Sequence, residues 1–211
     1  MLSAEGIVVG YRKGVPVLDG VDLHITPGET VGLAGPSGCG KSTLAKVLCL
    51  LLRPWKGRLR MDGEVITGFR HDAPAALRTR VGVVFQQPRL AVDPRLTLRE
   101  IVAEPLLANG FPASGVIGLA NRVGLTGELL ERRPHEVSDG QLQRACLARA
   151  LALRPRYLVC DEMTAMVDAS STAGLVRVVR EQASDLETGV LAISHDDALL
   201  DVWADRVERL G

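Results

Sequence analysis

The sequence predicts an α/β protein with a largely parallel sheet, a β-rich N-terminal region and an inserted helical lobe. Three observations predict it. Short apolar runs of strand length, Glu29–Ala34, residues 81–85, Tyr157–Cys160 and Gly189–Ile193, alternate with segments of helical periodicity. Continuous apolar runs of that length mark strands buried on both faces, and their alternation with helices is the pattern of an α/β core. Residues 97–151 read as helical, with breaks, and interrupt that alternation, so they read as an inserted lobe. The glycine-rich run Gly35-Pro36-Ser37-Gly38-Cys39-Gly40-Lys41-Ser42 matches G-x-x-x-x-G-K-[ST] and sits between a strand and a helix, the setting that motif requires.

Taken in order, Glu5–Val9 and Gly20–Ile25 alternate or run apolar and read as strands, with Pro27-Gly28 marking a turn. Glu29–Ala34 is a buried strand, and Ser42–Leu52 is a helix with apolar residues at helical spacing. Residues 58–70 hold short strands around Asp62-Gly63, a hairpin signal. The helical stretch breaks near Gly110–Pro112, Gly124–Gly127 and Pro134. Residues 171–184 and 196–204 read as helices flanking the strand Gly189–Ile193.

Composition bounds the function. A chain of 211 residues with 46% hydrophobic and 24% charged residues is ordinary for a globular protein. Twenty-five basic and 25 acidic residues leave a formal charge of zero, which argues against a nucleic-acid partner. Cys39, Cys49, Cys146 and Cys160 form no C-x-x-C pair and no metal-ligand spacing, so they read as reduced thiols. The N-terminus lacks a basic segment followed by an apolar core, and no apolar stretch is long enough to span a bilayer, so any membrane role is expected to be peripheral.

The glycine-rich run carries the first chemistry. A phosphate chain needs many donors at short range, and glycines let backbone N–H groups turn toward its oxygens without side chains in the way. Lys41 adds a positive charge aimed at the β and γ phosphates, and the Ser42 hydroxyl is a ligand for Mg²⁺. The helix that follows points its positive end at the same place.

Four later segments narrow the choice. Val137-Ser138-Asp139-Gly140-Gln141 precedes a helical run, and Ser138 with Gln141 is a capping box. Asp161-Glu162 puts two carboxylates at the end of a buried strand. Phe85-Gln86 ends another strand, and Ser194-His195 a third. Polar residues at the C-terminal ends of parallel strands are where α/β proteins place ligand chemistry.

This order of motifs resembles the ATP-binding cassette (ABC) ATPases over nearly the whole chain. The resemblance implies a P-loop NTPase fold of the ABC type: one domain over residues 1–211, a core of about 1–86 and 152–211 with an antiparallel β subdomain, and a helical lobe of about 87–151. It implies ATP and Mg²⁺ as cofactors. Tyr11 looks like the aromatic that stacks on adenine, and Gly35, Pro36, Ser37, Gly38, Cys39, Gly40, Lys41, Ser42 and Thr43 form the Walker A site. Asp161 would hold Mg²⁺ together with Ser42 and Gln86, Glu162 would act as general base on the attacking water, and His195 would bond the γ-phosphate. Asp168 is similar to the D-loop aspartate. Ser138, Asp139, Gly140 and Gln141 stand at the signature, which in this family faces ATP on a second cassette. Asp139 departs from the glycine usual there. A carboxylate beside a triphosphate repels it unless it points away or is paired, so Asp139→Gly is expected to raise turnover.

Residues 85–106 are similar to the corresponding region of dipeptide, oligopeptide and nickel importer ATPases, with Asp93-Pro94-Arg95 and Glu104-Pro105-Leu106 carrying the likeness. That resemblance implies an ATP-hydrolysing importer subunit, peripheral at the cytoplasmic membrane face. Its partners would be transmembrane permeases, a second cassette in a homo- or heterodimer and, indirectly, an extracytoplasmic substrate-binding protein. Peptides, nickel and metal chelates are all open as cargo. A soluble, non-transport cassette ATPase, as in iron–sulfur assembly, and a regulatory subunit without turnover are the alternatives.

Overall fold

The apolar runs close into two sheets with the glycine-rich loop near their junction. The structure, a computed structural model, describes residues 1–165 and 167–211. In chain order the N-terminal elements are β1 (Leu2–Val9), β2 (Leu18–Ile25), β3 (Thr30–Ala34), α1 (Lys41–Leu48), β4 (Lys56–Met61), β5 (Glu64–Val65), α2 (Ala75–Arg78) and β6 (Val81–Val84). The helical lobe holds α3 (Leu98–Ala108), α4 (Val116–Arg122), α5 (Gly127–Leu130) and α6 (Asp139–Leu151). The chain then returns through β7 (Tyr157–Asp161), α7 (Ala169–Leu186), β8 (Gly189–Ile193), α8 (Asp197–Trp203) and β9 (Arg206–Arg209).

One sheet has the order β2-β1-β4-β5 with antiparallel pairing, and the other has the parallel order β6-β7-β8-β3-β9. The turn between β4 and β5 places Asp62 and Gly63 at φ 53° and 89°, the left-handed pair that matches strand twist in a two-residue hairpin. Side chains of the parallel strands alternate between two cores, as a period of two requires. Leu158 and Cys160 of β7, with Val190 and Ala192 of β8, pack toward the helical lobe and α7. Tyr157, Val159, Leu191 and Ile193 pack toward the antiparallel sheet and α1. Both faces of these strands are therefore buried, which is why they read as unbroken apolar runs.

The sequence reading lacks the helix α2 and differs from the structure at two further elements. The first helix ends at Leu48, not residue 52. Leu50 turns left-handed at φ 61°, buries its side chain in the second core and accepts a bond from Arg70 N at 2.7 Å. The strand β9 is absent from the sequence reading, because Arg-Val-Glu-Arg shows one apolar residue at a half-exposed sheet edge.

The lobe is built by capped helices packed on one apolar face. Thr97 and Glu100 form a reciprocal capping box at the start of α3, and Ser138 and Gln141 do the same for α6. Leu98, Ile101, Val102 and Leu106 of α3 share a core with Leu142, Ala145, Cys146 and Leu147 of α6. Two long side chains tie α6 back to the segment after β6. Gln143 Nε2 donates to Phe85 O at 3.0 Å, and an Arg149 guanidinium nitrogen donates to Ala91 O at 2.6 Å.

Candidate functional site

The candidate site lies where the C-terminal ends of β3, β6, β7 and β8 meet the start of α1. The loop after β3 needs its glycines. Gly40 sits at φ 109° as the residue before α1, and a Cβ there would lie 2.4 Å from Leu18 Cδ2. A Cβ on Gly35, at φ 149°, would lie 2.3 Å from Leu210 O. Lys41 is 6% exposed, and its Nζ donates to Gly35 O at 2.6 Å and Pro36 O at 3.0 Å, so the ammonium is held across the loop. The first residues of α1 bring Ser42 over the end of β7, where its Oγ donates to Asp161 Oδ1 at 3.0 Å.

Asp161 is buried, and burial pushes its carboxyl above the ordinary range. The Ser42 hydroxyl, Lys46 and Lys41 oppose that shift, while the neighbouring Glu162 adds to it. An exposed hydroxyl bonded to a buried carboxylate is the hard oxygen donor set that Mg²⁺ takes when substrate phosphates and water complete its shell. Among the described residues no group of three or more His, Cys, Asp or Glu side chains could hold a metal on its own. The pair therefore fits an ion that arrives with a triphosphate.

Glu162 is the centre of a second group. Its backbone is left-handed at φ 48°, a region non-glycine residues seldom occupy, and its N–H donates to Ile193 O at 3.0 Å. That turn aims the carboxylate away from the strand line. Gln86 Nε2, at the end of β6, donates to Glu162 Oε2 at 2.8 Å. His195 Nδ1, after β8, lies 3.6 Å from the same oxygen. Three strand ends thus converge on one carboxylate oxygen.

Tyr11 is 61% exposed, which excludes a core aromatic. Its hydroxyl is 3.3 Å from Thr43 Oγ1 and accepts from Lys46 Nζ at 3.2 Å, with the ammonium 5.3 Å from the ring centroid. Burial pushes the phenol's pKa up, but the bonds to Thr43 and Lys46 and the charge of Lys46 outweigh it and leave it below its ordinary value.

A separate groove is lined by Ser138, Asp139, Gly140, Gln141, Arg144, Val167, Asp168 and Ser171, with none of the Walker A residues among its walls. Ser138 Oγ accepts from Gln141 N at 3.2 Å, and Gln141 Oε1 accepts from Ser138 N at 3.0 Å. Asp168 Oδ1 accepts from Ser171 N at 3.0 Å at the start of α7. Asp139 does not face the groove unpaired, since its Oδ1 accepts from Arg89 Nε at 2.7 Å.

The ABC transporter family model matches residues 18–165. The chain belongs to the ABC transporter family. It is 35% identical over 201 residues to the oligopeptide transport ATP-binding protein OppF of Escherichia coli strain K12, covering 92% of this chain and 60% of that protein. It is 37% identical over 209 residues to the nickel import ATP-binding protein NikE of Escherichia coli O6:K15:H31, covering 97% of this chain and 78% of that one. The chain thus spans 60% of the length of its oligopeptide-transport relative. The dimeric post-hydrolysis structure of the ATP-binding cassette MJ0796 bound to ADP and Pi superposes with a TM-score of 0.90 at 26% identity, covering all of this chain and 94% of that one.

Sequence reasoning missed one residue at the start of α6. Arg89 lies 50 positions from Asp139, in a short turn whose local pattern gives no reason to look for a partner so far away. Two of the cysteines are quiet by comparison. Burial pushes the Cys146 thiol up to about 11 and drives that of Cys160 upward too, so both act as small apolar side chains.

Proposed function

We propose that this cassette is the ATP-hydrolysing subunit of an importer for peptides, nickel or metal chelates, working with Mg²⁺. The convergence of Gln86 and His195 on one oxygen of Glu162, beside the Ser42–Asp161 pair, carries the reading. A base for water attack must be held within reach of the nucleophile and kept from the phosphate by geometry, and the left-handed turn at Glu162 supplies that fixed aim. In this reading the loop Gly35–Thr43 binds the phosphates, with Lys41 on the β and γ groups, and Tyr11 stacks on the base. Ser42, Asp161 and Gln86 would hold the ion, which would neutralise charge on the phosphates. Glu162 takes the proton of the attacking water, and His195 contacts the γ-phosphate. Asp168, Ser138, Gly140 and Gln141 act on ATP bound to a second cassette. The domain is one unit, with a core of about 1–86 and 152–211 and a helical lobe of about 87–151.

The names of the relatives favour transport over a soluble cassette role. A cleft between the two parts, lined by Arg78, Val83, Glu104, Pro105, Asn109 and Arg149, would seat a cytoplasmic segment of a permease. No helix among the described residues is long and apolar enough to cross a membrane, so the proposed attachment at the cytoplasmic face is through partner proteins, including a substrate-binding protein outside the membrane indirectly. One experiment tests the reading. A tagged Glu162→Gln chain is recovered from membranes in Mg-ATP. We expect retained ATP, turnover down on the order of 100-fold, and co-recovery of multi-span permeases. Unchanged turnover sinks the base assignment, and recovery of soluble partners alone sinks transport.

A further inference from the structure

We propose that Arg89 is a positioning residue for the signature, neutralising Asp139 so that a helix start carrying a carboxylate still offers donors to a phosphate. The proposal rests on the ATPase reading above. All three guanidinium nitrogens are engaged. Nε donates to Asp139 Oδ1 at 2.7 Å, while the two terminal nitrogens donate to Pro134 O at 2.6 Å and Val137 O at 3.0 Å. The fork therefore grips the carboxylate and two carbonyls of the loop that leads into α6. Without it, the carboxylate and those two dipoles would leave net negative potential at the place where the start of α6 should attract an anion. With it, the aspartate keeps its favourable place in the first helical turn and its charge is cancelled from outside the groove.

The position of Arg89 gives the contact a second consequence. It lies three residues past Gln86, whose amide donates to Glu162, so one short segment touches both the proposed base and the signature. A shift of that segment on nucleotide binding would move both. The pairing also revises the expectation drawn from Asp139 alone. Since the carboxylate is already compensated, Asp139→Gly should change turnover by less than about twofold and not raise it.

The test is a cycle of Arg89→Ala, Arg89→Lys, Asp139→Gly and the double variant Arg89→Ala/Asp139→Gly, read as kcat and KM for ATP in the membrane-assembled transporter. Arg89→Ala is expected to lower kcat about tenfold with KM within about twofold. Removing the orphaned carboxylate in the double variant should return kcat to within about threefold of the parent, and Arg89→Lys, which keeps the charge without the fork, should fall between. An Arg89→Ala transporter with parental kcat overturns the proposal, as does a double variant no faster than Arg89→Ala. A second readout needs no turnover. Amide hydrogen exchange in the isolated chain should speed up at residues 139–141 on Arg89→Ala and stay unchanged in residues 41–48. Unchanged exchange at 139–141 overturns the grip on the loop, whereas a parent transporter that hydrolyses no ATP counts against the ATPase reading instead.

Discussion

Asp161 sets function against stability within a single side chain. Burial raises its carboxyl above the ordinary aspartate range, so the native state holds the proton more tightly than the unfolded chain does. As pH rises from the unfolded value, near 3.9, toward the native one, the native state loses ground, and above both the loss is constant. Asp161→Asn removes that loss while keeping an oxygen to accept from Ser42. In buffer free of nucleotide and Mg²⁺, the variant is expected to melt higher than the parent at pH 7, with no gain below the unfolded value. The same change should cost on the order of 100-fold in ATP turnover. A lower melting temperature at pH 7 would show that the ionised carboxylate is net stabilising. Such a residue is legible in sequence because its strand and motif are local. Arg89 is not, because only the folded chain brings it to Asp139.

The helix α6 separates two roles of one cap. Ser138 closes the helix start by accepting from Gln141 N, and a capping side chain is worth about 1 kcal/mol against alanine. Ser138→Ala should therefore lower the melting temperature by roughly 2–4 °C. Ser138→Asp keeps an acceptor at the cap and should hold the melting temperature within about 1 °C of the parent, yet it adds a charge with no Arg89 to cancel it. Turnover of the assembled complex should then fall about tenfold or more. Equal turnover in Ser138→Asp and the parent would separate the cap from any contact with phosphate. Elements of this kind were visible in the sequence wherever a cap or an apolar period marked them. The box at Ser138–Gln141, the hairpin at Asp62-Gly63 and the breaks in the lobe all have local causes. The early end of α1 at Leu48 and the strand β9 do not. The first depends on Leu50 finding a place in the core, and the second on Arg206–Arg209 pairing beside β3 at the sheet edge.

At the scale of the whole molecule the two groups of candidate residues do not share one pocket. The Walker A loop and the carboxylates stand at the ends of β3 and β7, while the groove lined by Ser138, Gly140 and Asp168 contains no Walker A residue. Gln86 and Arg89 link the two regions through a few residues, but no phosphate held by Lys41 also lies in that groove unless a second cassette supplies it. The Glu162→Gln chain is therefore expected to double its mass in saturating Mg-ATP, read by light scattering, and to return to monomer in ADP. Gly140→Asp in that background tests the face used. A Cβ at Gly140 would be 3.4 Å from Val167 Cγ1, an ordinary contact, and an acid in the first turn suits a helix, so the variant should fold. Its charge lies beside the proposed phosphate position, so the doubled mass should be lost. If the Glu162→Gln chain stays monomeric at saturating ATP, self-pairing is ruled out, and the groove at Ser138 would have to serve the nucleotide of a different cassette subunit.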